Sequence, residues 1–204
     1  MKNPILLNLP MPILTKHLLI RPPKTGDGST FFEAVKESYD DLNTAFPWTN
    51  RISNADEAEA FVRESEANWI LKSIHEPYFP LLIFIKEPVY FVGIVGYHHV
   101  NWQIPALEIG YWCRSSQRGR GLITEAVNAI TQYAFQIIKV KRIEIRCDTL
   151  NIKSKVIPER LGYQLDATLK NHRISSFTQK LGDTLIYSRT DLKNIPCLDF
   201  KTDG

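Results

Sequence analysis

Residues 113–127, which read CRSSQRGRGLITEAV, combine backbone freedom with positive charge directly before an apolar helix. The first amide N–H groups of a helix have no partner within it and lie at the positive end of its dipole. Gly119 and Gly121 have no Cβ, so an anion can approach the backbone closely, and Arg118 and Arg120 add formal charge. This combination favours a pyrophosphate site, and a solvent-exposed turn is the alternative.

Two common nucleotide-binding loops do not fit this stretch. A Walker loop ends in Gly-Lys-Ser/Thr, which the stretch lacks. A dinucleotide fingerprint requires a third glycine at the position where Thr124 stands. A phosphate site in this stretch would therefore be of another kind, and a solvent-exposed turn remains the alternative.

The composition is that of a globular protein with a mild positive charge. The 204 residues are 44% hydrophobic, and 25 basic against 22 acidic side chains give a formal charge of +3. That charge is too small to indicate nucleic-acid binding. The three cysteines have no paired spacing, so we expect reduced thiols and a cytoplasmic protein. Prolines interrupt the apolar N-terminus, so we expect neither a signal peptide nor a membrane segment.

Hydrophobic periodicity predicts a single α+β domain. Seven strands are predicted, over residues 16–21, 78–86, 89–100, 106–113, 142–148, 163–169 and 183–190. Four helices are predicted, one with Phe31 and Val35 on its apolar face, one that Asn54 opens, and two over 122–138 and 151–162. We expect an N-terminal extension over 1–12, the domain over 13–190 and a loose tail over 191–204.

With these elements in place, the chain resembles the GNAT superfamily of acetyl-CoA-dependent N-acetyltransferases. In that family a strand leads into a Q/R-x-x-G-x-G/A loop, which holds the pyrophosphate of coenzyme A, and then into a helix. Residues 116–121, SQRGRG, match both glycines, and Ser116 departs from the first position. Further segments follow the order of the RimJ/RimL-like branch, which acetylates the N-terminal amine of ribosomal proteins: TKHLLIRP, FPW, LEIGYW and NIKSKVIPERLGY.

The resemblance implies the GNAT fold, a mixed, mostly antiparallel, twisted sheet of about seven strands flanked by about four helices. It implies that strands 106–113 and 142–148 splay apart and hold acetyl-CoA in the gap. The pantetheine arm would pair with the strand backbone, and one N–H would hold the thioester carbonyl. The cofactor contacts that it implies are Tyr111, Trp112, Cys113, Gln117, Arg118, Gly119, Arg120, Gly121 and Leu122.

Direct attack of an amine on the thioester also needs a proton donor for the departing thiolate. Many relatives use a tyrosine of the last helix, and Pro158 occupies its place here. Ser154 matches the serine of the RimL-like branch, and a hydroxyl that only bonds the helix backbone is the alternative. Asn151 matches a residue that contacts the pantetheine amide or thiol. Both residues are therefore predicted to serve catalysis and cofactor binding.

A proton acceptor is required as well. The branch places a glutamate just after the LK of LKNHRI, and Arg173 stands there. Glu108, on the strand facing the cleft, is the predicted base, with His172 as the second choice and a merely solvated glutamate as the alternative. Arg173 also indicates an acceptor with an acidic group near its amine.

Other reactive side chains have plain interpretations. Cys147 matches a cysteine of the branch, is predicted to be a small core residue, and no covalent acyl-cysteine is implied. His98 and His99 are adjacent, so a regular strand would point them to opposite faces, and we expect no metal site. Trp48 is expected to border the acceptor site.

An acidic group in the first helical region has two readings. The carboxylates could attract a cationic amine or could form a solvated helix face. Its members are Glu37, Asp40 and Asp41.

The sequence thus predicts an N-acetyltransferase that uses acetyl-CoA, acts on a protein N-terminus, and is a monomer or homodimer. The alternatives are the same reaction on a small amine, such as a polyamine, an aminoglycoside or an amino acid, and a non-catalytic acyl-CoA-binding module. A nucleic-acid-binding domain would need exposed aromatic residues among the basic ones. Neither nucleic acid nor a membrane is expected as a partner.

Overall fold

A computed structural model describes residues 3–45, 49, 52–72 and 78–203. The predicted turn at residues 46–50, apart from Thr49, and with it Trp48, lies outside the described residues. Across the described ranges, a single sheet contains nine strands: β1 (Ile13–Leu14), β2 (Leu18–Arg21), β3 (Phe79–Ile85), β4 (Tyr90–Asn101), β5 (Ala106–Cys113), β6 (Arg142–Asp148), β7 (Gln164–Ile174), β8 (Leu181–Arg189) and β9 (Lys201–Thr202).

The strands lie in the order β7-β8-β6-β5-β4-β3-β2-β1-β9. Seven of them have four residues or more and correspond to the seven predicted strands, whereas β1 and β9 have two residues each. Every described neighbour pair is antiparallel except β5 with β6, which is parallel. The sheet is therefore mixed and mostly antiparallel, as the resemblance implied.

Five α-helices are described: α1 (Gly28–Glu37), α2 (Tyr39–Ala45), α3 (Ala55–Leu71), α4 (Leu122–Tyr133) and α5 (Ile152–Arg160). The predicted number was about four, and α2 is the additional helix. Asn54 caps α3, since its side chain accepts a hydrogen bond from the Glu57 amide. The predicted helix over 122–138 ends earlier as an α-helix and continues as a π-type turn over Ala134–Ile138.

Apolar residues on the two faces of the sheet form two cores. The first core joins α4 to β3–β6 and β8 through residues such as Ile109, Val127 and Ile145. The second packs α1 and α3 against β3 and β4, and Phe31 meets Trp112 of β5 there. Strand β5 therefore packs against both cores, one on each face of the sheet.

The C-terminal residues are packed, so the expectation of a loose tail was wrong. Strand β9 pairs with β1, and Leu198 and Phe200 contact the core. The buried Arg189 guanidinium donates hydrogen bonds to the carbonyls of Leu161, Asp191 and Lys193, which ties the tail to the end of α5. Sequence patterning missed this because two-residue strands leave no periodic signal.

No helix in the described ranges is both long enough and apolar enough to cross a membrane.

Candidate functional site

Strands β5 and β6 separate midway along their length. Their parallel pairing runs from Ala106 and Arg142 to Glu108 and Glu144, although the strands continue to Cys113 and Asp148. On its other side β5 stays paired with β4 as far as Cys113. Among the described residues, the β6-facing edge of β5 thus has no strand partner beyond Glu108. A gap of this kind accepts an extended ligand as an added strand would be accepted.

The loop after β5 leads directly into α4. Gly119 and Gly121 have φ angles of +74° and +77°, a conformation that costs other residues energy. A Cβ at either position would meet no heavy atom of the protein within 4 Å. Gly121 is the N-cap of α4 without a side-chain cap, so the first-turn amides depend on other acceptors. The start of α4 thus leaves backbone groups open to an anion, and binding of a pyrophosphate there stays a prediction.

Helices α1 and α2 hold this loop in place. Glu37 accepts hydrogen bonds from the Ser116 amide at 2.9 Å and from Arg114 Nε at 2.5 Å. Burial would raise the pKa of Glu37, but the hydrogen bonds from Ser116 and Arg114 outweigh it and lower the pKa. Asp41 pairs with Arg118 at 2.6 Å. Glu37 and Asp41 are thus exposed helix residues that also pair with the loop before α4, a contact that neither reading of the acidic group included.

The two loop arginines are already engaged. Arg118 contacts Asp41, and Arg120 donates a hydrogen bond to the side chain of Gln117. Any contact of these guanidinium groups with phosphate would compete with those partners. Their assignment to the pyrophosphate, like that of Gln117, stays a prediction.

On one side of the gap, the side chains of Tyr111 and Ser154 touch. Ser154 Oγ donates a hydrogen bond to the Tyr111 hydroxyl at 3.1 Å, and that hydroxyl donates to the Ser154 carbonyl at 2.9 Å. The carbonyl is free because Pro158, four residues on, has no N–H to complete the helical bond. Burial raises the pKa of Tyr111, so its phenol keeps its proton at neutral pH.

Asn151 and Cys147 precede Ser154 in the chain by three and seven residues. Asn151 is the N-cap of α5, and its side-chain oxygen accepts a hydrogen bond from the Ser154 amide at 3.0 Å. Cys147 is buried in the core, and burial, together with Asp148, raises the pKa of its thiol to about 11. A thiol with that pKa remains protonated, in line with the small core residue that the sequence predicts.

Glu108 lies on the face of the sheet opposite to the Tyr111–Ser154 pair, in a row of alternating charges. Arg146 Nε lies 3.4 Å from Glu108 and donates to Glu144, and Arg142 joins Glu144 to Asp166. Burial raises the pKa of Glu108 and Glu144 adds to the rise, while Arg146 and His99 oppose it, and the net pKa is raised. Glu108 is thus a half-buried carboxylate with increased proton affinity, which suits a general base.

His98 is a neighbour of Glu108 that the sequence did not single out as a site residue. It pairs in register with Glu108, and its ring stacks on Tyr78 with centroids 4.3 Å apart. Gly110 makes this position possible, because a Cβ there would lie 2.6 Å from His98 Nε2. Burial lowers the pKa of His98 to about 4, so the imidazole is neutral at neutral pH.

His99 departs from the regular strand that was assumed for the two histidines. Its φ is +48°, and the β4–β5 register shifts between His98 and Asn101. The bulge brings the two ring centroids to 6.5 Å, so the expectation that the rings point to opposite faces does not hold. Over the described ranges, no group of three or more His, Cys, Asp or Glu side chains is placed to hold a metal ion.

The remaining predicted residues fall in three places. The Trp112 side chain is buried in the α1–α3 core, so its backbone is what the gap can use. Leu122 is buried at the start of α4, and Cys113 is half-buried. His172 Nδ1 lies 3.1 Å from Thr184 Oγ1 on β8, and Arg173 is exposed on β7.

A cleft of about 410 Å³ lies against the outer surface of α4. Lys16 and Arg160 bring positive charge to it, and Gly121 connects it to the loop. Sequence patterning missed this cleft because its lining comes from four separate segments of the chain.

Comparison with known protein families identifies the family of the chain. A family model described as an acetyltransferase (GNAT) domain matches residues 17–164, which is most of the chain. The chain belongs to the GNAT acetyltransferase family. The matched region contains the loop, the β5–β6 gap and the Tyr111–Ser154 pair.

Curated relatives match over shorter stretches. The putative ribosomal N-acetyltransferase YdaF of Bacillus subtilis is 34% identical over 71 residues, which are 35% of this chain and 39% of that protein. The ribosomal-protein-serine acetyltransferase of Escherichia coli is 26% identical over 97 residues, which are 48% of this chain and 54% of that protein. The chain thus spans about half the length, or less, of these relatives.

Among solved structures, that of the microcin C7 self-immunity acetyltransferase MccE, in complex with acetyl-CoA and AMP, is similar. Its TM-score is 0.76 at 21% identity, over 86% of this chain and 93% of that one. At this identity the similarity establishes the fold, which is the GNAT fold that the sequence predicts.

Proposed function

We propose that this protein transfers an acetyl group from acetyl-CoA to the α-amine of a protein N-terminus, by direct attack of the amine on the thioester. The observation that carries the proposal is the gap between β5 and β6, with a hydroxyl pair on one face and a carboxylate of raised pKa on the other. An amine that enters from the Glu108 face would meet the thioester opposite Ser154.

Each step of the reaction has a candidate group. The pyrophosphate would bind the first-turn amides of α4 beside Gly119 and Gly121, and an N–H of β5 near Tyr111–Cys113 would hold the thioester oxygen. Glu108 would receive the proton of the amine. Ser154 would protonate the departing thiolate, and solvent would return a proton to Ser154 through the Tyr111 hydroxyl.

The choice of a protein N-terminus is supported by the two curated relatives, whose names both refer to ribosomal acetyltransferases. A small amine is the second candidate, and the exposed Arg173 favours it if that amine stands near an acidic group. The unpaired spacing of the cysteines supports a cytoplasmic location.

Thermal unfolding with acetyl-CoA, coenzyme A or NAD tests cofactor binding. Acetyl-CoA at about 100 times its Kd should stabilise the protein by roughly 2.7 kcal/mol, and NAD should not. Mass spectrometry should then find the acetyl group on peptides with a free N-terminus rather than on spermidine, an aminoglycoside or free amino acids. A shift without transfer to any amine would indicate an acyl-CoA-binding module instead.

A further inference from the structure

Asp148, the last residue of β6, has a buried carboxylate with an unused oxygen. The residue is 3% exposed. Its Oδ1 accepts a hydrogen bond from the Leu150 amide at 2.8 Å. Its Oδ2 is fully buried and has no hydrogen-bond partner among the residues that the structure describes. A buried carboxylate oxygen without a donor destabilises a folded protein, so such an atom needs an explanation.

The position of Asp148 on β6 relates it to the proposed base. Side chains alternate along a strand, so Asp148 shares a face with Arg146 and Glu144, the residues of the charge row that reaches Glu108. Cys147 lies on the opposite face, in the core. Asp148 therefore stands on the Glu108 face of the sheet, four residues beyond Glu144, the last β6 residue that pairs with β5.

Neighbouring strands and the following turn connect Asp148 to the rest of the site. Thr184 of β8 is its partner in register, and His172 reaches Thr184 from β7. On its C-terminal side, the Asp148 carbonyl accepts a hydrogen bond from the amide of Asn151, which caps α5. Asp148 thus stands at the end of β6 that extends beyond the pairing with β5, next to the residue that caps the helix of Ser154.

We propose that Asp148 Oδ2 binds the acceptor, as the hydrogen-bond acceptor for its primary ammonium group. This inference rests on the proposed function and deepens it, since it assigns the amine-binding residue. An N⁺–H donor would provide the missing partner in a charge-assisted hydrogen bond, which is stronger than a neutral one. Asp148 would hold the ammonium form of the acceptor, and its proton would pass to Glu108 only after the amine has moved about four residues, roughly 13 Å, along the gap toward the thioester.

Two other roles for the Asp148 carboxylate explain fewer of these observations. A purely structural turn uses Oδ1 and leaves Oδ2 unexplained. The amides of pantetheine are neutral and would lie along the exposed edge of β5, where backbone groups can bind them. A cationic ligand from the Glu108 face fits the charge, the burial and the position of the atom together.

Asp148→Asn and Asp183→Asn form a matched pair for the test. The Asp183 carboxylate is fully partnered, by Lys170 and the Asn171 amide. Asp148→Asn keeps an oxygen for Leu150 and removes the unpaired charge, so its Tm should be unchanged or higher. Asp183→Asn should lower Tm and leave the kinetics unchanged. A clear fall in Tm for Asp148→Asn, with the KM for acceptor unchanged, would overturn the proposal.

Kinetics with a synthetic serine-initiated peptide provide the second arm. Asp148→Asn should raise the KM for peptide, or lower kcat/KM, by roughly ten- to hundredfold, because a hydrogen bond to a charged group is lost. The Kd for acetyl-CoA should stay within about twofold of wild type, since no cofactor contact changes. Weaker acetyl-CoA binding with an unchanged KM for peptide would instead place Asp148 in the cofactor site.

A des-amino version of the peptide separates this inference from the proposed function. Wild-type protein should bind the amine peptide more tightly than the des-amino peptide, and Asp148→Asn should bind both equally. An equal preference in both proteins would overturn the role of Asp148 even if acetyl transfer is intact. If wild type transfers no acetyl group, the proposed function fails, and the Tm comparison still decides whether the carboxylate is structural.

Discussion

The Tyr111 hydroxyl and Ser154 form two hydrogen bonds that connect β5 to α5 across the gap. Ser154 Oγ donates to the hydroxyl at 3.1 Å, and the hydroxyl donates to the Ser154 carbonyl at 2.9 Å. Pro158 creates this arrangement by withholding the helical N–H that the carbonyl would otherwise accept. Pro158 stands where the resemblance implies a tyrosine, and it leaves the Ser154 carbonyl to the hydroxyl of Tyr111.

Replacement of Ser154 tests the proton donor. We expect Ser154→Ala to lower kcat by about 10²-fold or more, because the thiolate would leave without a general acid. Affinity for acetyl-CoA, measured by calorimetry, should stay near the wild-type value. Unchanged turnover would remove Ser154 from the mechanism.

Replacement of Tyr111 tests the hydroxyl pair. Tyr111→Phe should lower kcat less than Ser154→Ala, since Ser154 remains but loses its partner. Tyr187→Phe is the matched control, because its hydroxyl also contacts α5, through Glu159 at 2.9 Å. Equal losses in the two tyrosine variants would point to a general disturbance of α5.

Glu108→Gln tests the base through the pH dependence of kcat/KM. A base must be deprotonated, so activity should rise with pH through the raised pKa of Glu108. The amide cannot accept the proton, and the variant should lose this lower limb together with about 10² in rate. A variant that retains the limb would assign it to another group, and His172→Ala would then be tested.

Arg146→Gln should shift the lower limb of the pH dependence of kcat/KM to higher pH. Burial raises the pKa of Glu108 and Arg146 opposes the rise, so loss of the cation should raise the pKa further and shift the limb to higher pH. The expected loss is about tenfold on the acid side of the limb and little on the plateau. Arg142→Gln is the control, because Arg142 lies one position further along the charge row, and the lower limb of its pH profile should stay where it is. An equal shift in both variants would contradict the assignment of this limb to Glu108.

The glycines of the loop offer a test of anion binding. Gly121→Ala should weaken acetyl-CoA binding about tenfold, because its Cβ would project into the open space through which an anion approaches the loop backbone. The αL backbone also costs an alanine about 1–2 kcal/mol of stability. Gly26→Ala is the control, since Gly26 also has positive φ and open space around it. Similar stability losses are expected in both variants, with weaker acetyl-CoA binding in Gly121→Ala alone.

Removal of the C-terminal residues tests the packed tail. A chain that ends at Asn194 loses β9 and the contacts of Leu198 and Phe200 with the core. We expect a loss of about 2–4 kcal/mol in the free energy of unfolding, measured by denaturant titration. A chain that ends at Thr202 keeps these contacts and should match the full-length protein, and equal stability of both truncated chains would refute the structural role of the tail.

Local patterns predicted the elements that make the site. Strand β5 was predicted with its observed ends, Ala106 and Cys113, because it contains Ile109, Tyr111 and Trp112, residues that favour strands. The tight loop before α4 was predicted from Gly119 and Gly121, because few other residues allow positive φ angles and close approach to the backbone.

Contacts between distant segments were beyond such reasoning. Asp41 pairs with Arg118 across 77 positions, and no local pattern encodes that pairing. The role of Pro158 was also missed, because its effect on Ser154 depends on a tyrosine of another strand. Asp148 went unnoticed since an aspartate at the end of a strand ordinarily indicates only a turn.

Direct acetyl transfer is tested most directly by mass spectrometry of every product of one reaction. Purified protein, acetyl-CoA and a serine-initiated peptide would be mixed, and the peptide, the released thiol and the protein would be weighed together. The account predicts one acetyl group on the peptide amine, an equal amount of free coenzyme A and an unmodified protein. An acetyl group retained on the protein, or acetyl-CoA bound without any transfer to the amine, would contradict it.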